Sequence, residues 1–183
     1  VAVTGVQTCA LPILARHLGA FKRWYAQAGT PRLSARGNYD AAAQTYTLTL
    51  RQTTPDTPNQ SAKAPVVIPV AMGLVGVDGR QINLQREGSL DLLGRNTVLV
   101  MTEAEQSFTF VHVPVEPVPS LLRGFSAPVV LEAALNDDQL FTLLAHDADP
   151  FNQWEAAQQL ALGRMLRAVK GEGSAEDRKS TRL

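Results

Sequence analysis

The sequence predicts a mainly β protein: a two-sheet antiparallel sandwich of about seven strands, with one α-helix before it and two after it. Three observations carry this. Apolar residues recur at helical spacing near the start, at a period of two through the middle, and at helical spacing again near the end. Turn chemistry punctuates the middle, with Asp78-Gly79 the clearest case. The composition is that of an ordinary globular chain: 183 residues, 45% apolar and 19% charged, enough to bury a core without staples.

The first element is a helix over Leu14 to Ala28. Leu14, Leu18, Phe21, Trp24 and Tyr25 form one apolar stripe, Gly29 suits the position past the helix end, and Pro31 forbids continuation. The strands begin after it. Tyr46, Leu48 and Leu50 alternate with Thr45, Thr47 and Thr49, the mark of a half-buried strand. Leu33 to Tyr39 reads as its hairpin partner across the turn "NYDAAAQ". Val66 to Val75 and Gln81 to Gln85 form a second hairpin, with Ile82 and Leu84 on one face. Pro69 has no N–H to donate, which places its strand at an edge or a bulge. Thr97 to Thr102, Ser107 to Val113 (Phe108 and Phe110 on one face) and Phe125 to Ala133 complete the set. The polar segment Thr53 to Pro65 reads as a loop crossing between sheets. The proline-bearing stretch at Pro114, Pro117 and Pro119 reads as a stiff crossover; the alternative is an extended ligand for an aromatic groove.

Beyond Asn136, Leu140, Leu143 and Leu144 stripe a short helix. Asp149-Pro150 opens a longer one carrying Leu162, Met165, Leu166 and Val169, and Gly171 would end it. Two helices cannot bury such faces by themselves, so further helices are expected, and these two should be the least firmly packed part.

Composition excludes some roles. Lys+Arg and Asp+Glu are both 17, so no basic surplus favours nucleic acid or an anionic membrane as partner. Cys9 is the one cysteine, so no internal disulfide can form and a reducing compartment suits the chain. No apolar run approaches the roughly 20 residues needed to span a bilayer. The opening "VAVTGVQTCALPI" and the closing "DRKSTRL" resemble translated sequencing-adapter read-through, so residues 1–14 and 177–183 are expected to be non-native.

A search for chemistry returns little. His17, His112 and His146 have no second histidine three or four residues away, so there is no zinc helix of the HExxH kind. There is no G-x-S-x-G elbow, phosphate loop or dinucleotide fingerprint. Asp137, Asp138, Asp147 and Asp149 lack the alternating spacing of a calcium loop and read as helix caps and solvated charges. Gly124, after Arg123, reads as a turn or close approach before the last strand.

Six stretches carry a resemblance: "FKRWYAQAGTP", "YTLTLRQTTPDTP", "IPVAMGLVG", "INLQ", "PVPSLLRGFSAPVVLE" and "DPFNQWEAAQ". In this order and spacing they resemble the bacterial aminopeptidase N (alanyl aminopeptidase) family of thermolysin-like zinc peptidases, over about residues 15 to 170. The resemblance implies an order of domains. Residues 15–29 would be the last helix of the catalytic domain, 30–134 an immunoglobulin-like sandwich, and 135–176 the start of a helical C-terminal domain. The family's zinc ligands, its general-base glutamate, its oxyanion tyrosine and its amine-binding G-x-M-E-N motif have no counterpart here. Tyr25, Tyr39 and Tyr46 stand outside the tyrosine's context. The resemblance therefore assigns no catalytic, cofactor-binding or metal residue to this chain; zinc belongs to the parent enzyme. The expected role is a non-catalytic scaffold, inactive alone, whose partners are the rest of the same polypeptide and, for the parent, a cytoplasmic peptide substrate. The alternative is a free-standing immunoglobulin-like module binding a protein or glycan surface, against which the low aromatic content of 6% counts.

Overall fold

A computed structural model describes residues 18–170. Cys9, His17, the expected leader and tail, and the first turn of the predicted helix lie outside them. Helical turns over residues 18–21 and α1 (Arg23–Ala26) are separated by a turn at Lys22. The single long helix expected here is thus two short pieces over the described residues. Trp24 packs against the sandwich core, but Leu18 and Tyr25 are exposed, so only part of the apolar stripe is held, and a helix this short is marginal without packing.

Ten strands follow: β1 (Arg32–Asp40), β2 (Thr45–Thr53), β3 (Ile68–Gly76), β4 (Gln81–Ile82), β5 (Leu84–Gln85), β6 (Leu92–Gly94), β7 (Thr97–Met101), β8 (Glu105–Phe110), β9 (Pro117–Leu121) and β10 (Val130–Ala133). Three of them, β4, β5 and β6, are only two or three residues long. One sheet runs β10–β1–β2–β8. In the other, β3 is central: Met72 pairs both Thr97 of β7 and Leu121 of β9, and Leu74 pairs both Ile82 of β4 and Pro119 of β9. The expected two-sheet sandwich is present, with four strands in each sheet against the expected total of about seven, and with one departure from antiparallel order, because β10 runs parallel to β1 from Arg32↔Val130 to Ala35↔Ala133.

The period of two fixes the core. Tyr46, Leu48 and Leu50 of β2 point inward with Leu33, Phe108 and Phe110, and meet Ile68, Val70, Met72, Leu99 and Met101 of the facing sheet. Asp40 makes the β1–β2 turn by accepting hydrogen bonds from the amides of Ala42 and Ala43 at 2.9 and 3.0 Å. Pro69 lies in the central strand rather than at an edge. Its neighbour of like parity, Ala71, sends its N–H away from β7 to Ser126 Oγ at 2.9 Å. The N–H that proline lacks would therefore point where β9, confined to Met72–Gly76, does not reach.

Three other readings change. The second hairpin's return strand breaks at Asn83: β4 stays with β3, while β5 leaves to pair β6 in a separate ribbon. The proline-bearing crossover is in part the strand β9, because Pro117 and Pro119 pair on β3 as an edge strand whose outer side needs no donor. The last strand is shorter than expected: it covers Val130–Ala133 only, Phe125 belongs to a 3₁₀ turn (Arg123–Phe125), and residues 126–129 are irregular.

Two helices follow among the described residues, α2 (Asp137–His146) and α3 (Pro150–Val169). Asn136 caps α2 with a reciprocal box: its Oδ1 accepts from Gln139 N at 2.8 Å, and Gln139 Oε1 accepts from Asn136 N at 3.1 Å. Asp149 caps α3, accepting from the amides of Phe151 and Asn152 at 3.0 Å. Leu140, Leu143, Ala156 and Leu160 pack on Val75 and Val118, on the outer face of the second sheet. Full burial of each leucine stabilises by about 1.5–3 kcal/mol, so the inner faces of these helices are docked, while Leu162, Met165, Leu166 and Val169 of α3 stay exposed. That docking also explains why β9 is buried along its whole length.

Candidate functional site

The polar chemistry of the molecule gathers at two joints. At the first, the N-terminal segment is stitched to the loop 53–67 that crosses between the sheets. Trp24 Nε1 donates to Val67 O at 2.8 Å and Arg23 Nη1 to Pro65 O at 2.6 Å. Gln27 pairs with the backbone of Ala64 in both directions, and Gln60 bonds Ala28 N and Ala26 O. Beneath the loop, buried Gln52 accepts from Val66 N and donates to Val66 O and Glu103 O, all at 2.9 Å.

The second joint is built on Arg123. Val75 faces Val118 and Gly73 faces Ser120 across β3 and β9. The outer face thus changes from apolar to open and polar just where the 3₁₀ turn begins. The Arg123 guanidinium lies in that opening with only 8% of its surface exposed. Its Nε donates to Ser120 Oγ at 2.7 Å, Nη1 to Asn96 Oδ1, and Nη2 to Gln81 Oε1 at 3.1 Å and Asp147 Oδ1 at 2.9 Å. Asp147, in the link between the helices, has a fully buried side chain. Asp149 Oδ2 accepts from Gly124 N at 2.8 Å, and Asn152 Nδ2 donates to Ser120 Oγ and Leu121 O. Beside Arg123 a cleft of about 230 Å³ opens between Met72, Thr97 and Asp149. Phe125, Phe151 and Trp154 stack along the joint, with ring centroids 3.9 and 5.6 Å apart.

The residues singled out from sequence are dispersed. His112 Nδ1 lies 3.0 Å from Gln85 Oε1, whereas the His146 ring lies against Gly79 in the β3–β4 turn. Asp137 pairs with Arg167 at 2.6 Å, and Asp149 caps α3 as its position suggested. Asp147 is the correction: it is the buried partner of Arg123, not a solvated charge. Tyr39 Oη donates to Val113 O at 3.1 Å, and Tyr25 is exposed. Burial, with Glu116 as the smaller cause, pushes the Tyr46 phenol far above its usual value near 10. Among the described residues no three His, Cys, Asp or Glu side chains converge as metal ligands. Sequence reasoning missed Gln52, Ser120, Asn152 and the network of Arg123. Gly73, a glycine inside an apolar strand, was the available signal of a close approach.

An immunoglobulin-like sandwich with a helix pair packed on one of its sheets defines the fold class. The chain belongs to the family described as "Domain of unknown function (DUF3458) Ig-like fold", matched over residues 29–134, and its family match continues as "DUF3458_C ARM repeats" over residues 137–183. It is 45% identical over 143 residues to aminopeptidase N of Escherichia coli (strain K12), covering 78% of this chain and 16% of that protein. Aminopeptidase N of Haemophilus influenzae is 39% identical over 152 residues (83% of this chain, 17% of that one). That of Caulobacter vibrioides is 39% identical over 156 residues (85% and 17%). Among solved structures, Legionella pneumophila aminopeptidase A in complex with aspartic acid superposes with a TM-score of 0.64 at 26% identity, over 78% of this chain and 15% of that chain. The chain thus spans 16–17% of the length of these curated relatives and resembles their Ig-like and helical parts.

Proposed function

We propose that the chain is the non-catalytic spacer of a zinc-dependent aminopeptidase that removes N-terminal amino acids from peptides in the bacterial cytoplasm. In this reading residues 15–29 end the catalytic domain, residues 30–134 are the spacer, and residues 135–176 begin the helical domain. Zinc and the groups that use it would lie elsewhere in the longer protein. The observation that carries the reading is the 45% identity to E. coli aminopeptidase N. At 143 residues it is longer than the Ig-like region 29–134, so it extends past the sandwich. Two further features support it. Leu18 and Tyr25 leave an apolar face open at one end, and Trp154, Leu162, Met165 and Val169 leave one open along α3. Repeat helices bury such faces by stacking on their neighbours.

The test is direct. The purified chain, supplied with zinc, should not hydrolyse an alanyl-arylamide. Zinc-dependent turnover by this chain alone would show that the chemistry resides in it.

A further inference from the structure

The helix pair meets the sandwich through two kinds of contact. One is the small apolar cluster around Val75, Val118, Leu143 and Leu160. Apolar contact is non-directional: it favours association but tolerates small slides and rotations. The other is the Arg123 fork. Its partners come from β9, β4, the residue before β7 and the link between the helices. A rigid planar guanidinium satisfies four such directions in one placement only. The turn that carries it holds Leu122 at φ 55° and Phe125 at φ 54°. Bulky residues persist in that region only where the surroundings over-determine them. Asp147 Oδ2 is buried without a protein partner among the described residues, and a buried ion pair of this kind often adds little net stability over apolar side chains of similar size.

We propose that Arg123 and Asp147 form an orientation latch, which selects one angle between sandwich and helix pair while adding little net stability. The claim concerns this chain's own geometry and stands apart from the peptidase reading. Removing both charges together should be tolerated. Ser120 would keep Asn152 as a partner, and Asn96 is exposed and can bond water.

The molecule holds its own reporter. Of its two tryptophans, Trp154 stacks on Phe151, which stacks on Phe125 across the joint; Trp24 is anchored at the other end. Fluorine NMR of the fluorotryptophan-labelled chain should show one line for each. In Arg123→Met/Asp147→Leu the Trp154 line should split or broaden, the Trp24 line should stay in place, and the melting midpoint should be kept. Arg123→Lys retains the charge but loses the fork, and should split the Trp154 line in the same way. A single sharp Trp154 line at the wild-type shift in either variant would overturn the proposal. So would unfolding of the double variant, because the pair would then supply stability rather than orientation.

Discussion

The guanidinium of Arg123 occupies the space that a side chain at Gly73 would need: a Cβ there would clash with its Nη1 and Cζ. The glycine in the middle of β3 and the arginine beyond β9 are therefore one structural unit, and the helix link reaches the sandwich through it. Gly73→Ala should expel the guanidinium from its place and destabilise by about 3 kcal/mol, read from urea unfolding. Wild-type stability in this variant would show that the opening over Gly73 is not needed.

Removing one half of the buried pair leaves the other charge stranded. Arg123→Ala and Asp147→Ala should each destabilise by about 3–5 kcal/mol, more than an exposed pair such as Arg32–Glu132 contributes. A double-mutant cycle in urea reads the coupling, and additive losses would argue against it.

Asp149 caps α3 and also holds Gly124 N. Asp149→Ala should lose about 1–2 kcal/mol, with a fall in helical circular dichroism. Asp149→Asn should recover most of this, because an amide oxygen still accepts from the first-turn amides.

Tyr46 predicts a pH dependence. Its folded value is raised, so the native state holds the phenolic proton more tightly than the unfolded chain. Stability is fully present below the usual tyrosine value of about 10 and is lost as pH rises from there toward the folded value. Unfolding midpoints should fall more steeply between about pH 10 and 11 in the wild type than in Tyr46→Phe. Equal slopes would contradict the assignment.

Buried Gln52 ties the crossing loop to the β7–β8 turn with three hydrogen bonds. Gln52→Ala leaves Val66 N and two carbonyls unpaired and should destabilise by about 2–3 kcal/mol, measured by thermal melting.

Strands of one period were the legible part of the fold. The alternation of Tyr46, Leu48 and Leu50, the Asp78-Gly79 turn and the Asp149-Pro150 helix start each depend on neighbours in sequence, and each appears in the structure. The break at Asn83 was not legible, because a strand that leaves its sheet keeps its local pattern. Strand β9 was hidden because Pro117 and Pro119 argue against a ladder unless the free edge is known. The Arg123 network was least legible of all. Beyond the nearby Ser120, its partners come from residues 81, 96 and 147, and only the folded chain makes them neighbours. Asp147 and Asp149 look alike in sequence, yet one is a buried counter-ion and the other a cap.

The spacer claim is tested most directly by grafting residues 29–170 in place of the corresponding segment of E. coli aminopeptidase N and measuring alanyl-arylamide hydrolysis of the zinc-loaded chimera. Preserved alignment of the flanking domains predicts activity within about tenfold of that enzyme. A folded, zinc-loaded chimera with only background hydrolysis would contradict it.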